Sequence, residues 1–175
     1  MTDEAIKRAK GLSAMIFDVD GVLTDGTLYL NDRGEEMKAF NTRDGHGIKM
    51  LRESGVQVGI LTARRSGVVE RRASELGITL LRQGAADKKT AFAEMLGIVG
   101  CNPAQAGYMG DDVIDLPVLI RCGFAATVPE APQLLRERCH YVALAPGGRG
   151  AVREVCEFVL RAQDRLDAAL AAYIA

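Results

Sequence analysis

Short apolar runs alternate along this chain with longer stretches whose apolar residues recur three and four positions apart. The first run, Ala14 to Phe17, ends on Asp18-Val19-Asp20-Gly21; an apolar run closed by glycine reads as a buried strand reaching its end. Before it, residues 1–12 read as a short helical lead-in around Ile6-Lys7-Arg8-Ala9-Lys10. After it, Gly26–Leu30 and Glu36–Phe40 alternate on either side of Asn31-Asp32-Arg33-Gly34, which predicts a hairpin. Asp44 to Ser54 predicts a helix ended by Gly55. The pattern then predicts strand over Val56–Leu61, helix over Ser66–Leu76, strand over Ile78–Leu81, helix over Asp87–Leu96 and strand over Ala106–Met109. Helix Asp115–Cys122, strand Phe124–Val128, helix Pro132–Arg138 and strand Tyr141–Leu144 follow. A last helix is expected from Ala151 onward, with Val152, Val155, Val159, Leu166 and Leu170 close to one face. Strands alternating with helices of about ten residues imply βα units. The expected fold is therefore α/β, a Rossmann-like, doubly wound, mostly parallel sheet covered on both faces, with a small β-hairpin flap over residues 26–40.

Composition narrows the class. The 175 residues, 48% hydrophobic and 26% charged, suit one globular domain with a full core. A net charge of −1 leaves no electrostatic footprint for nucleic acid or an anionic membrane, so neither is expected as a partner. No apolar run approaches the roughly 20 residues of a membrane span, and Met1-Thr2-Asp3-Glu4-Ala5-Ile6-Lys7 lacks the order of a signal peptide. Cys101, Cys122, Cys139 and Cys156 lie far apart with no C-x-x-C. They read as reduced, mostly buried thiols, which points to a cytoplasmic protein.

Four strand ends carry chemistry. Asp18 and Asp20 sit one residue apart where a buried strand opens into a loop, the edge at which parallel α/β sheets build their sites. Like charges brought together need a cation or a shared proton. Val58-Gly59-Ile60-Leu61 runs into Thr62-Ala63-Arg64-Arg65, a hydroxyl and a guanidinium at a helix start, as in an anion site; by itself the stretch also reads as a capping threonine and a solvated arginine. Gln83-Gly84-Ala85-Ala86-Asp87-Lys88-Lys89 puts lysines where they oppose the helix macrodipole, so one of them has an anionic partner unless both are surface charges. Gly107-Tyr108-Met109-Gly110-Asp111-Asp112-Val113-Ile114-Asp115 ends in a second acidic cluster that suits a hard divalent cation, Mg²⁺ above all.

Taken together, Asp18-Val19-Asp20-Gly21-Val22, Thr62, Lys88 and Gly110-Asp111-Asp112-x-x-Asp115 resemble, in order and spacing, the signature of the haloacid dehalogenase superfamily of phosphohydrolases. The resemblance runs from Ala14 over nearly all the chain. Asp20-Gly21-Val22-Leu23-Thr24-Asp25-Gly26, Asn41-Thr42-Arg43-Asp44-Gly45 and Gly147-Gly148-Arg149-Gly150-Ala151-Val152-Arg153-Glu154 are similar to the family of 3-deoxy-D-manno-octulosonate 8-phosphate phosphatases, which act in lipopolysaccharide biosynthesis. The resemblance implies one hydrolase domain over 1–175, with 151–175 as C-terminal helix and tail. It also implies a phosphoric monoester hydrolase in which Asp18 is the nucleophile and Asp20 the acid and base. Thr62 and Lys88 would hold the phosphoryl oxygens. Mg²⁺ would be held by Asp18, the Asp20 backbone carbonyl and Asp111, with Asp112 and Asp115 behind them.

Asp18–Thr62 is filled by a hairpin and a helix, and Lys88–Asp111 by a helix and a strand, so no separate cap domain is expected. The resemblance implies instead a homotetramer whose neighbouring subunit closes each site, and the hairpins are the expected subunit contacts. Arg43, Arg64 and Arg149 are candidate contacts to a sugar acid's carboxylate. Arg43 reads equally as the partner of a loop acid. His46 is expected in a loop near the entrance and His140 in a structural role. The alternative substrate is another sugar phosphate or small metabolite. A signalling receiver domain uses similar groups, but with its metal acids first and its phosphorylated aspartate later; a non-catalytic regulatory subunit would keep the fold without turnover.

Overall fold

Ala14–Phe17 (β1) carries no polar side chain and is buried on both faces, which is why it occupies the middle of the sheet. A computed structural model of the protein describes residues 2–171 and 173–174; Met1 of the expected lead-in and positions 172 and 175 of the expected tail lie outside the described residues. In chain order the strands after β1 are β2 (Tyr29–Leu30), β3 (Glu36–Met37), β4 (Gln57–Leu61), β5 (Leu80–Arg82), β6 (Ala106–Met109), β7 (Phe124–Thr127) and β8 (Tyr141–Val142). The helices are α1 (Asp3–Lys10), α2 (Thr42–Glu53), α3 (Gly67–Glu75), α4 (Lys88–Val99), α5 (Leu116–Leu119), α6 (Gln133–Arg136), α7 (Ala151–Ala162) and α8 (Leu166–Ala171). Six strands form a fully parallel sheet in the order β5-β4-β1-β6-β7-β8. Strands β2 and β3 form a separate antiparallel hairpin. The sheet runs outward from β1 to β4 and β5, then returns to β6 on the other side, so the strand order reverses at β1. Ligands of open α/β sheets bind outside the carboxyl ends at such a reversal.

The expected element types hold, with bounds that shift for local reasons. Helix α3 ends in a hydrogen-bonded reversal: Gly77, at φ +66°, donates to the Ser74 carbonyl and Ile78 donates to Ala73 at 2.8 Å. Ile78 is thereby spent on the helix end, and the strand expected from Ile78 begins only at Leu80. The helix expected over Asp115–Cys122 is instead a 3₁₀ turn, Val113–Asp115, followed by the short α5. The last helix does not continue past Ala162. Asp164 takes a left-handed φ of +57°, and Gln163 Nε2 donates to the carbonyls of Ala9 and Leu12, so the chain turns there before α8. His46 lies within α2, edge-on to Tyr173 at 5.2 Å between ring centres, rather than in a loop. His140 Nδ1 accepts the Ala125 N–H at 2.8 Å, and its ring stacks on Phe124.

Two of the three sequence stretches that set this chain apart from a generic α/β domain, Asn41–Gly45 and Gly147–Glu154, are bonded to each other. Asn41 caps α2 with its side chain. Asp44, one turn in and 1% exposed, accepts from the Gly150 and Arg153 N–H groups and so caps α7 from across the helix pair. Glu154 then accepts from the Leu144 and Ala145 N–H groups and the Tyr141 hydroxyl. The glycine-rich loop before α7 is thereby held in place at both ends. All four cysteines are free, and burial pushes the Cys122 and Cys139 thiols up to about 12 and raises Cys156 too.

Candidate active site

The ladder between β1 and β6 runs one bond past the end of β1, where Asp18 donates its N–H to Met109 at 2.9 Å. The Val19 carbonyl then accepts from Val22, Leu23 and Thr24, and the Thr24 hydroxyl accepts from the Gly21 and Gly26 N–H groups. This tight loop drops the Asp18 side chain into a buried well. There Lys88 Nζ lies 2.9 Å from Asp18 Oδ2 and 2.6 Å from Asp115 Oδ1. The Tyr108 hydroxyl donates to the same Asp115 oxygen at 2.6 Å, while Asp115 Oδ2 accepts the N–H groups of Asp111 and Asp112. Burial works against the Lys88 charge, but Asp18 and Asp115 outweigh it and hold its pKa above the ordinary lysine value. Lys88 stands on the first turn of α4 because Asp87 caps that helix by accepting from Thr90, which turns the lysine beside it inward. Lys89 is exposed.

Asp111 stands against this well. A carboxylate oxygen from each of Asp18, Asp111 and Asp115 lies within 4.8 Å of the others. Gly21, at φ +90°, gives Asp111 its room, since a Cβ there would sit 2.0 Å from Asp111 Oδ2. Gly147 allows the glycine-rich loop to reach the same place, its missing Cβ falling 1.9 Å from the Gly21 carbonyl. The crevice they border, about 170 Å³, is lined by Asp25, Asp111, Glu130 and Arg149 among others. Arg149 NH2 lies 3.7 Å from Asp25, and Asp112 caps the following turn through the Val113 N–H.

The Asp20 side chain finds its partners outside this group. Its Oδ1 pairs with Lys38 Nζ from the hairpin, and its Oδ2 is 3.8 Å from Arg64 Nε. Glu36 joins both cations, at 3.1 Å from Lys38 and 3.3 Å from Arg64. Thr62 is 2% exposed at the end of β4; its hydroxyl accepts the Arg64 N–H at 3.4 Å, and Ser66, not Thr62, occupies the cap position of α3. The structure thus brings Asp18, Lys88, Asp111 and Asp115 into one cluster and sets Asp20 and Arg64 on the hairpin side. Arg43 joins neither group; it is exposed on the first turn of α2 and pairs with no acid among the described residues. Lys38 and Tyr108 are the additions that sequence reasoning missed. Each sat in a motif singled out for other residues, and the alternation Glu36-Met37-Lys38, which puts two opposite charges on one hairpin face, was the available signal.

The cluster fits a divalent cation. Three carboxylates surround one ammonium, leaving two negative charges uncompensated, and Asp18 Oδ1 is buried without a hydrogen-bond partner. Burial, then the Asp115 charge, raises Asp18 to about 7 against the pull of Lys88; burial, then Asp18 and Asp115, raises Asp111 to about 7. Both groups start from 3.8 when unfolded, so between those values the folded chain holds more protons than the unfolded one. Stability without metal therefore falls as pH rises through this window and levels off above it. Thermal melts in chelator should drop steadily from about pH 5 to about pH 8. Excess Mg²⁺ should reverse the drop at the upper end, by about 2.7 kcal/mol at a hundred times its Kd. Melts independent of both pH and Mg²⁺ would show that the cluster binds no cation.

No family model matches the chain. The 3-deoxy-D-manno-octulosonate 8-phosphate phosphatase KdsC of Yersinia pestis is 48% identical over 169 residues, covering 97% of this chain and 90% of that protein. The crystal structure of the Moraxella catarrhalis 3-deoxy-D-manno-octulosonate 8-phosphate phosphatase, in complex with magnesium ion, phosphate ion and KDO, superposes with a TM-score of 0.96 at 40% identity over 99% of each chain. A haloacid dehalogenase superfamily (subfamily III A) hydrolase from Legionella pneumophila superposes with a TM-score of 0.94 at 38% identity, covering 98% of this chain and 94% of that one.

Proposed function

The chain belongs to the 3-deoxy-D-manno-octulosonate 8-phosphate phosphatase family, a phosphoric monoester hydrolase of the haloacid dehalogenase superfamily, and from that premise we propose that it converts this eight-carbon sugar acid phosphate to the free sugar acid and inorganic phosphate. The observation that carries the proposal is the buried carboxylate of Asp18, one oxygen held by Lys88 and the other unpartnered, beside Asp111. Asp18 attacks phosphorus and forms an aspartyl-phosphate as the bond to the sugar oxygen breaks; Asp20 gives that oxygen its proton. Asp20 then takes a proton from the water that attacks the same phosphorus, and Asp18 leaves as a free carboxylate. Lys88, fixed by Asp115 and Tyr108, holds Asp18 in place and offers its charge to the phosphoryl oxygens with the Thr62 hydroxyl.

Mg²⁺ fits at Asp18 and Asp111 with the Asp20 backbone carbonyl, and when bound it supplies the positive charge that offsets the carboxylates and the phosphoryl group. Asp115 stands behind as a brace because both its oxygens are taken. Arg64, beside Asp20, and Arg149, beside Asp25, would meet the sugar's carboxylate; Arg43, exposed and paired with no acid among the described residues, has less to support that role. The four free thiols, two of them buried and two partly so, suit a reducing cytoplasm, in a step of lipopolysaccharide biosynthesis. Among the described residues no helix is long and apolar enough to cross a membrane.

The whole chain acts as one catalytic domain without a cap, and a homotetramer supplies the roof. The hairpin supports this reading: the cross-strand pair Tyr29 and Met37 is 44% and 70% exposed on its outer face, and Leu28 and Leu30 are exposed along the same strand. Apolar side chains in such a patch mark a protein contact. Met37→Glu is expected to shift the protein from tetramer to smaller species by light scattering and to lower activity with them. A fully active monomer would overturn the subunit roof.

The substrate is tested by phosphate release with Mg²⁺ across sugar phosphates. The octulosonate ester should exceed hexose 6-phosphates in kcat/KM by at least about 10²-fold, the scale of pocket discrimination. Equal values would leave the reaction class and remove the named substrate.

A further inference from the structure

The hairpin has a second face that closing a site does not require. Along β3 and the residue after it, side chains alternate, so Met37 points outward while Glu36 and Lys38 point inward. An inward lysine is unusual on an exposed hairpin; here its side chain is only 2% exposed, although Tyr29 and Leu30 of the neighbouring strand are solvent-facing. Lys38 bonds Asp20 Oδ1, Glu36 bonds Lys38, Arg64 bonds Glu36, and Arg64 comes back to Asp20 Oδ2. The four alternating charges make a closed ring from three separate pieces of chain: the loop after β1, the hairpin, and the loop after β4.

The ring does not treat the two Asp20 oxygens alike. Oδ1 is tied by the buried ammonium, whereas Oδ2 faces only a half-exposed guanidinium at 3.8 Å, beyond hydrogen-bond length. We propose that Lys38 is a positioning residue for the reaction: by fixing Oδ1 of Asp20 it leaves Oδ2 as the atom that carries the proton and aims it at the leaving oxygen, with Glu36 holding Lys38 in turn. This rests on the reading of Asp20 as acid and base. It also gives the hairpin a catalytic task inside each subunit, separate from its contacts outside.

The test uses two esters of different leaving group on the full-length protein with Mg²⁺: the octulosonate 8-phosphate, whose alkoxide needs a proton, and p-nitrophenyl phosphate, whose phenolate leaves without one. Because kcat/KM covers only the steps up to departure of the leaving group, it isolates the acid's part. Lys38→Met should lower kcat/KM for the sugar ester by about 10²-fold, the usual share of a general acid. For the nitrophenyl ester it should lower the value by less than about threefold. Glu36→Gln should move both in the same direction by a smaller factor, and thermal melts of both variants show that they fold. Equal losses on the two esters, or a rise in KM alone for the sugar ester, would overturn the proposal. Asp20→Asn, run in parallel, separates the two failures. If Asp20→Asn discriminates between the esters and Lys38→Met does not, only the role of Lys38 falls. Should Asp20→Asn itself show no discrimination, the acid assignment falls with it.

Discussion

Asp18→Asn is expected to abolish turnover and, without metal at pH 8, to raise the melting temperature. The first half follows from the nucleophile's identity: an amide cannot form the aspartyl-phosphate, and losing a nucleophile that acts within a concerted site costs about 10⁴-fold or more in kcat. The second half follows from the well. Asp18 ionises there only near 7, because burial and the Asp115 charge outweigh the attraction of Lys88. A neutral amide of the same shape removes that cost, and Asp111, raised for the same reasons, loses one of its repelling neighbours. Above pH 7 the variant should therefore melt higher than the parent in chelator, and its gain on adding Mg²⁺ should shrink. Phosphate release and paired melts with and without Mg²⁺ read both halves. A variant with full turnover would end the mechanism. One that is inactive but melts lower in chelator would show that Asp18 is a structural anchor and not a strained nucleophile.

The same tension explains what the sequence disclosed. A carboxylate that must sit in an apolar well has to be brought there by an apolar strand, so Ala14–Phe17 announced Asp18 as plainly as any motif. Glycines that let backbone or carboxylate approach closely, such as Gly21 beside Asp111, are legible for a similar reason: chain geometry is imposed locally. The ends of elements were less legible because they depend on partners distant in sequence. Leu166 and Leu170 continue the apolar spacing of α7, and nothing local says that Gln163 will be drawn off to the carbonyls of Ala9 and Leu12. Asp164 bears the left-handed turn without a glycine to announce it, as aspartate does more readily than most residues.

Lys38 shows a different limit. An alternating hairpin is ordinarily read with its apolar face toward the body of the protein. Here the body presents acids, Asp20 among them, so the charged face turns inward and Tyr29 and Met37 are left outside. Polarity along the hairpin is visible in the sequence, but which face is inside depends on what it covers. Tyr108 was hidden in a similar way. Its hydroxyl looks like core packing in an apolar strand until Asp115 arrives seven residues later to accept from it.

Lys88 and its neighbour Lys89, between which only the resemblance's spacing decides in the sequence, give the sharpest contrast of effect. Lys88→Met leaves Asp18, Asp111 and Asp115 together with no ammonium among them, and removing one partner of a buried ion pair costs about 3–5 kcal/mol. In chelator at pH 8 the variant should melt far below the parent, and Tyr108, still donating to Asp115, cannot replace a charge. Mg²⁺ should recover much of that loss, because it supplies positive charge to the same carboxylates, so the metal-induced rise in melting temperature should exceed the parent's. Activity should stay depressed by about 10²–10³-fold even with saturating Mg²⁺, since no donor then reaches the phosphoryl group from that side. Lys89→Met, one residue on and exposed, should change neither melt nor turnover measurably. Equal effects at the two positions would mean that the ammonium in the well contributes nothing that a surface charge does not. A Lys88→Met protein restored to full activity by Mg²⁺ would confine the lysine to holding the carboxylates together.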